Sequence, residues 1–181
     1  MLEIDVPVSP EGWDELKQEF VEPKTVTLRL EHSLVSLSKW ESKWCKPFLS
    51  GNEKTSEETI DYIKCMTITQ NVDPEVYDHL SAQNITEINQ YIYAPMTATT
   101  FREEKTGKKN QEIITAELVY YWMIALQIPV QFEKWHLNRL LTLIRVCEVK
   151  NQPPKKRSKN QIINDYAALN EARKKKLGTR G

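Results

Sequence analysis

At 181 residues and 21.2 kDa, the chain suits one domain of ordinary size with an appendage. It is 40% hydrophobic and 28% charged, enough apolar material to bury a core, while its 5 glycines form no Rossmann or P-loop pattern. The formal charge of zero hides an asymmetry: residues 1–149 hold 15 Lys and Arg against 23 Asp and Glu (net −8), and residues 150–181 hold 10 basic against 2 acidic (net +8).

Met1 to Pro7 alternates Leu2, Ile4 and Val6, and Thr25 to Glu31 alternates Val26, Leu28 and Leu30; both predict short strands. Between them, Trp13, Leu16 and Phe20 fall at helical spacing and predict a short helix over Glu11 to Phe20. Ser33 is placed to cap a helix carrying Leu37, Trp40 and Trp44, which Pro47 stops. Thr55-Ser56-Glu57-Glu58 is a capping box, followed by the apolar positions Ile60, Ile63 and Met66. Asp73-Pro74 is a further helix start. Ile85, Ile88 and Ile92 mark another short helix ending before Pro95.

Ala94 to Gln111, with Pro95, Gly107 and three lysines, reads as a loop. Glu112 to Ile128 follows, apolar nearly all round, and such a helix is expected to be buried. Pro129 separates it from Phe132 to Val149, where Lys134, Asn138, Thr142 and Arg145 form a narrow polar stripe. These two helices are expected to be an antiparallel pair at the centre of the core. Asn151-Gln152-Pro153-Pro154 then breaks the chain. Ser158 to Lys176 predicts a last helix, with only Ile162, Ile163, Tyr166 and Leu169 as apolar contacts. The fold class read from this pattern is mainly α (α+β), in two parts. Residues 1–149 form an acidic helical body with N-terminal strands; residues 150–181 form a basic linker and helical arm.

The residues that carry chemistry are sparse. His32, His79 and His136 show no His-x-x-x-His spacing and the cysteines no Cys-x-x-Cys, so a metal site is not expected. Cys45, Cys65 and Cys147, odd in number and widely spaced, give no disulfide framework and no signature of an activated thiolate. Glu57, Glu58 and Asp61 sit in a helix first turn, where the macrodipole explains them. The pattern predicts no enzyme and no cofactor. The longest apolar run, Leu118 to Leu126, is nine residues against the roughly 20 a membrane helix needs, and no secretory leader opens the chain. A soluble, reduced, cytoplasmic protein is the expectation.

Trp40, Trp44, Trp122 and Trp135 fall on apolar helical faces, so core packing is their first reading. The alternative is that some line a groove for a partner. In the tail, Lys155-Lys156-Arg157 and Arg173-Lys174-Lys175-Lys176 have three readings: nucleic-acid binding, a solvated helix end, or an arm that docks on acidic protein, a second copy included. No base-stacking or helix-turn-helix signature accompanies the charge, which ranks nucleic acid last. The candidate partner-binding residues are therefore Lys155, Lys156, Arg157, Lys174, Lys175, Lys176 and Trp135.

Several long stretches resemble a family of tailed-bacteriophage tail assembly chaperones. They are Leu30 to Leu49, Pro95 to Phe101, Ile114 to Leu126, Lys134 to Arg145 and the closing Leu169 to Gly181. The resemblance implies a non-enzymatic factor of the host cell cytoplasm, absent from the mature virion. Such a factor binds the tape measure protein and the tail tube protein during tail morphogenesis. The alternative reading belongs to a different class: a structural virion component, such as a head–tail connector or tail completion protein.

Overall fold

The computed structural model describes residues 1–8, 12–14, 19–21, 24–101, 113–152 and 159–178, with the backbone alone at 12–14, 19–21 and 159–162. Strands β1 (Leu2–Pro7), β2 (Gly12–Asp14), β3 (Glu19–Val21) and β4 (Thr25–Leu30) open the chain. β1 pairs antiparallel with β4, from Leu2 opposite Leu30 to Pro7 opposite Thr25. The period of two puts Ile4, Val6, Leu28 and Leu30 on the buried face. On the other face the register brings together Glu3 with Arg29 (3.1 Å) and Thr27, whose hydroxyl donates to Asp5 at 2.6 Å.

The helix expected over Glu11 to Phe20 is not formed; β2 and β3 pair antiparallel instead, with Trp13 opposite Phe20. The 3–4 spacing of Trp13, Leu16 and Phe20 fits a helix, but Gly12 is a poor helix former, and Trp, Phe and Val favour strands. β1–β4 and β2–β3 are two separate two-stranded sheets, and a ten-residue helix is too short to nucleate readily on its own.

After the sheet the protein is mainly helical. α1 (Leu34–Trp44) is capped by Ser33 in a reciprocal box with Ser36 and ends at Cys45 in the left-handed region (φ 52°). α2 (Ser56–Met66) begins at the expected box, where Thr55 accepts from the Glu58 amide at 3.2 Å and Glu58 accepts from the Thr55 amide at 2.8 Å. Asp73-Pro74 starts only a 3-10 turn, Pro74–His79. α3 (Ala82–Tyr93) is capped by Ser81 and Asn84. α4 (Ala116–Ala125), a 3-10 turn Val130–Lys134, α5 (Leu137–Asn151) and α6 (Lys159–Leu177) complete the order. The loop expected over Ala94 to Gln111 falls partly on residues 102–112, outside the described ones.

The structure divides into two compact units, Met1–Glu148 and Val149–Gly181. In the first, α1 is the central element, packed against α2, α4 and the second 3-10 turn, while α3 covers β1. The expected α4–α5 pair is therefore not the centre of the core: the two are not packed along their length. Pro129 and the 3-10 turn separate them, and α5 starts only at Leu137, where Ser33 and His136 form an antiparallel bridge and the Leu137 amide donates to the His32 carbonyl at 2.7 Å. One buried carboxylate closes this arrangement. Glu41 of α1 accepts from the Phe48 amide and from the Ala116 amide, each at 2.7 Å, and so ties α1 to the following loop and to the first turn of α4. In the second unit, every side chain of α6 from Ile163 onward is exposed.

Candidate functional site

α4 decides where an apolar surface remains. Thr115 caps it, and Ala116, Val119 and Met123 are buried. These positions, three and four apart, mark a single inner face. The expectation that α4 is buried all round is corrected: Tyr121 and Ile124 are 64% and 77% exposed. A run that is apolar on every side specifies no orientation, and α1 covers only one side of it.

The surface continues past the helix. Gln127 takes a left-handed conformation (φ 54°), and the Ile128 amide donates back to the Met123 carbonyl at 2.8 Å, which turns the chain into the Val130–Lys134 segment. Val130 there is 60% exposed. Tyr120 donates to Glu133 at 2.9 Å, locking the turn to α4; burial first, and then this carboxylate, push the Tyr120 hydroxyl up to about 12. Trp135 ends the segment half-buried. Its ring stacks on Phe132 (centroids 4.0 Å apart, planes at 16°), and the Arg139 guanidinium lies 4.1 Å from its centroid. Trp122 is half-buried as well, whereas Trp40 is buried in the core. Its indole N–H donates to the Glu58 carbonyl at 2.9 Å, and its ring meets Phe48 edge-on at 5.0 Å.

The candidate residues of the arm are divided by what is described. Lys155, Lys156 and Arg157 lie outside the described residues. Lys174, Lys175 and Lys176 occupy the last turn of α6, exposed, where cations complement the helix dipole. Trp135 belongs to the other unit.

A second feature has no counterpart in the sequence reading. A cleft of ≈ 560 Å³ opens between the loop after α1 and helices α2 and α3. Ile85, Ile88 and Ile92 form one wall and Phe48 another, with His32 and Tyr62 at its floor. Tyr93 (81% exposed) and Leu49 (36%) stand at its rim, with Asn89 and Glu53 beside them. The Lys54 ammonium lies 4.3 Å from the Phe48 ring centroid, and burial lowers its pKa against the opposing pull of Glu58.

His32 of the floor contacts a second buried histidine, His136. His32 Nδ1 lies 2.5 Å from the Tyr62 hydroxyl, and the His32 and His136 rings meet edge-on at 5.1 Å. Burial above all, and then His136, lower the His32 pKa to about 3. His136 Nδ1 accepts from the Asn138 amide at 3.3 Å, so its Nε2 carries the proton and donates to the Tyr91 carbonyl at 3.0 Å. The His32–Tyr62 and His136–Tyr91 contacts join residues 30 and 45 positions apart in the chain. Cys65 is raised by burial and by Asp61, opposite to what an attacking thiolate needs. Among the described residues no three His, Cys, Asp or Glu side chains cluster as a metal site, and no helix is long and apolar enough to cross a membrane.

Comparisons with protein-family models, with curated proteins and with solved structures found no match. The functional reading therefore rests on this chain's own surfaces and on the resemblance of its sequence.

Proposed function

We propose that this chain is a non-enzymatic assembly chaperone of tailed-phage tails, which binds the tape measure protein and tail tube subunits in the host cytoplasm and leaves before the virion is complete. One observation carries the reading: the apolar outer face of α4, with Tyr121 and Ile124, stays exposed, as does Val130 in the turn that follows, although α4 is the most apolar helix among the described residues. Contiguous exposed apolar surface marks interaction sites. A tape measure is a long rod whose apolar helical surface self-associates unless covered, and an apolar helix face on a net-acidic, soluble body suits that task. Trp135, stacked between Phe132 and Arg139, extends this surface with an aromatic anchor of the kind that dominates interfaces.

Co-expression with the tape measure protein followed by pull-down tests the reading. Wild type should retain the rod in solution, and Ile124→Glu should lose most of it while folding normally. If Ile124→Glu captures the rod as well as wild type does, the α4 face is not the client site. Mass spectrometry of purified particles tests the chaperone class, because a connector or completion protein would be present there in fixed copy number.

A further inference from the structure

We propose that the basic C-terminal arm of one copy docks in the α2–α3 cleft of a second copy. This rests on different residues from the client reading and uses neither Tyr121 nor Ile124.

The arm supplies an unsatisfied apolar strip. In α6, Ile163, Tyr166 and Leu169 are 63%, 64% and 46% exposed. Spaced three apart, they fall on one side of the helix. Most helical stability in proteins comes from packing an apolar face rather than from propensity, so α6 gains stability from a surface that covers this strip. The cleft supplies the complement. Its α3 wall repeats isoleucine at 85, 88 and 92, and its ≈ 560 Å³ falls in the range of about 300–1,000 Å³ that encloses a drug-sized apolar body, here a few side chains from one helix. Tyr93 and Leu49, exposed at the rim, extend the contact surface available to such a helix. Asn89, Glu53 and Ser50 line the edge with polar groups.

Charge selects the partner. Residues 1–149 carry a net −8 and residues 150–181 a net +8. Two bodies repel, and two arms repel, so between copies only arm on body is attractive, and it neutralises both. Lys54, the one lysine among the described residues that line the cleft, lies against the Phe48 ring and in the field of Glu58. Electrostatic pairing of this kind speeds association and makes it sensitive to salt.

Sedimentation velocity of the full chain over a concentration series tests the proposal. Reversible self-association is expected, weakening as salt rises. Tyr166→Asp combined with Leu169→Asp should raise the dissociation constant about tenfold or more by removing the apolar strip. Lys174→Glu, Lys175→Glu and Lys176→Glu together should do the same at low salt and less at high salt. Asn89→Arg, at an exposed position on the cleft wall, should weaken association by blocking the arm with bulk and like charge. The decisive arm mixes copies. The Tyr166→Asp, Leu169→Asp chain keeps its cleft and the Asn89→Arg chain keeps its arm, so the mixture should associate where neither does alone. Complementation also shows that both variants are folded. A full chain that is monomeric at every concentration overturns the proposal. So does association that the arm variants leave unchanged, or that Ile124→Glu abolishes while Asn89→Arg does not. Should the mixture fail although both variants melt like wild type, exchange between copies is refuted.

Discussion

Glu41 offers the sharpest test of how this fold is held. The residue is 7% exposed, and its carboxylate accepts from two backbone amides, Phe48 and Ala116, each at 2.7 Å. Glu41→Gln keeps shape and volume but turns one acceptor oxygen into an NH₂ group facing a backbone N–H. One buried amide then lacks a partner, at about 1–3 kcal/mol, and the remaining bond loses its charge assistance. The carboxylate also sits at the first turn of α4, where its interaction with the helix dipole, roughly 0.3–1 kcal/mol, disappears. Together these predict a loss of about 2–4 kcal/mol, a large part of the roughly 5–15 kcal/mol that a domain possesses. Glu41→Ala, which strands both amides beside a small cavity, should cost more, and Glu41→Asp should fall between wild type and Ala because its shorter arm reaches one amide. Urea unfolding followed by far-ultraviolet circular dichroism reads these differences as shifts in midpoint at constant slope. A Glu41→Gln midpoint within error of wild type would refute the reasoning, and the clasp between α1, the Phe48 loop and α4 would carry no net stability.

The core tryptophan and the surface ones should part company: Trp40→Ala costs about 3–5 kcal/mol, whereas Trp135→Ala costs distinctly less because that ring is half-buried. Equal midpoints for the two in urea would contradict their burial. His32, lowered to about 3 in the folded protein from the ordinary 6.5, adds stability that is present above the unfolded pKa and is lost as pH falls from about 6.5 toward 3. Its contribution to the slope approaches about 1.4 kcal/mol per pH unit, and His32→Gln should flatten the stability curve in that window; an unchanged slope would mean His32 is protonated in the fold. Reversing Lys155, Lys156, Arg157, Lys174, Lys175 and Lys176 to Glu should leave the melting temperature of the Met1–Glu148 unit almost unchanged while weakening partner binding, most at low salt. A drop of many degrees would make those charges part of the folding unit.

What the sequence determined alone is mostly local. Alternation set β1 and β4, because the side-chain period of a strand leaves a half-buried sheet one face to bury. Thr55 with Glu58, Ser33, and the prolines at 47 and 95 set helix starts and stops, because caps and missing amides act within one turn. The opposite charges of body and arm were also legible, since charge is additive along the chain. Tertiary structure decided what depends on neighbours. Trp13, Leu16 and Phe20 satisfy a helical period, yet Trp13 and Phe20 face each other across the β2–β3 strand pair. The run from Leu118 to Leu126 is apolar on every side, so nothing within it states which face α1 will cover or that Tyr121 and Ile124 will remain in water. Glu41 reads as one more surface carboxylate until the fold brings it to Ala116, 75 residues away in the chain. The cleft arises the same way: its walls come from separate segments, and a concavity exists only where separate elements fail to meet.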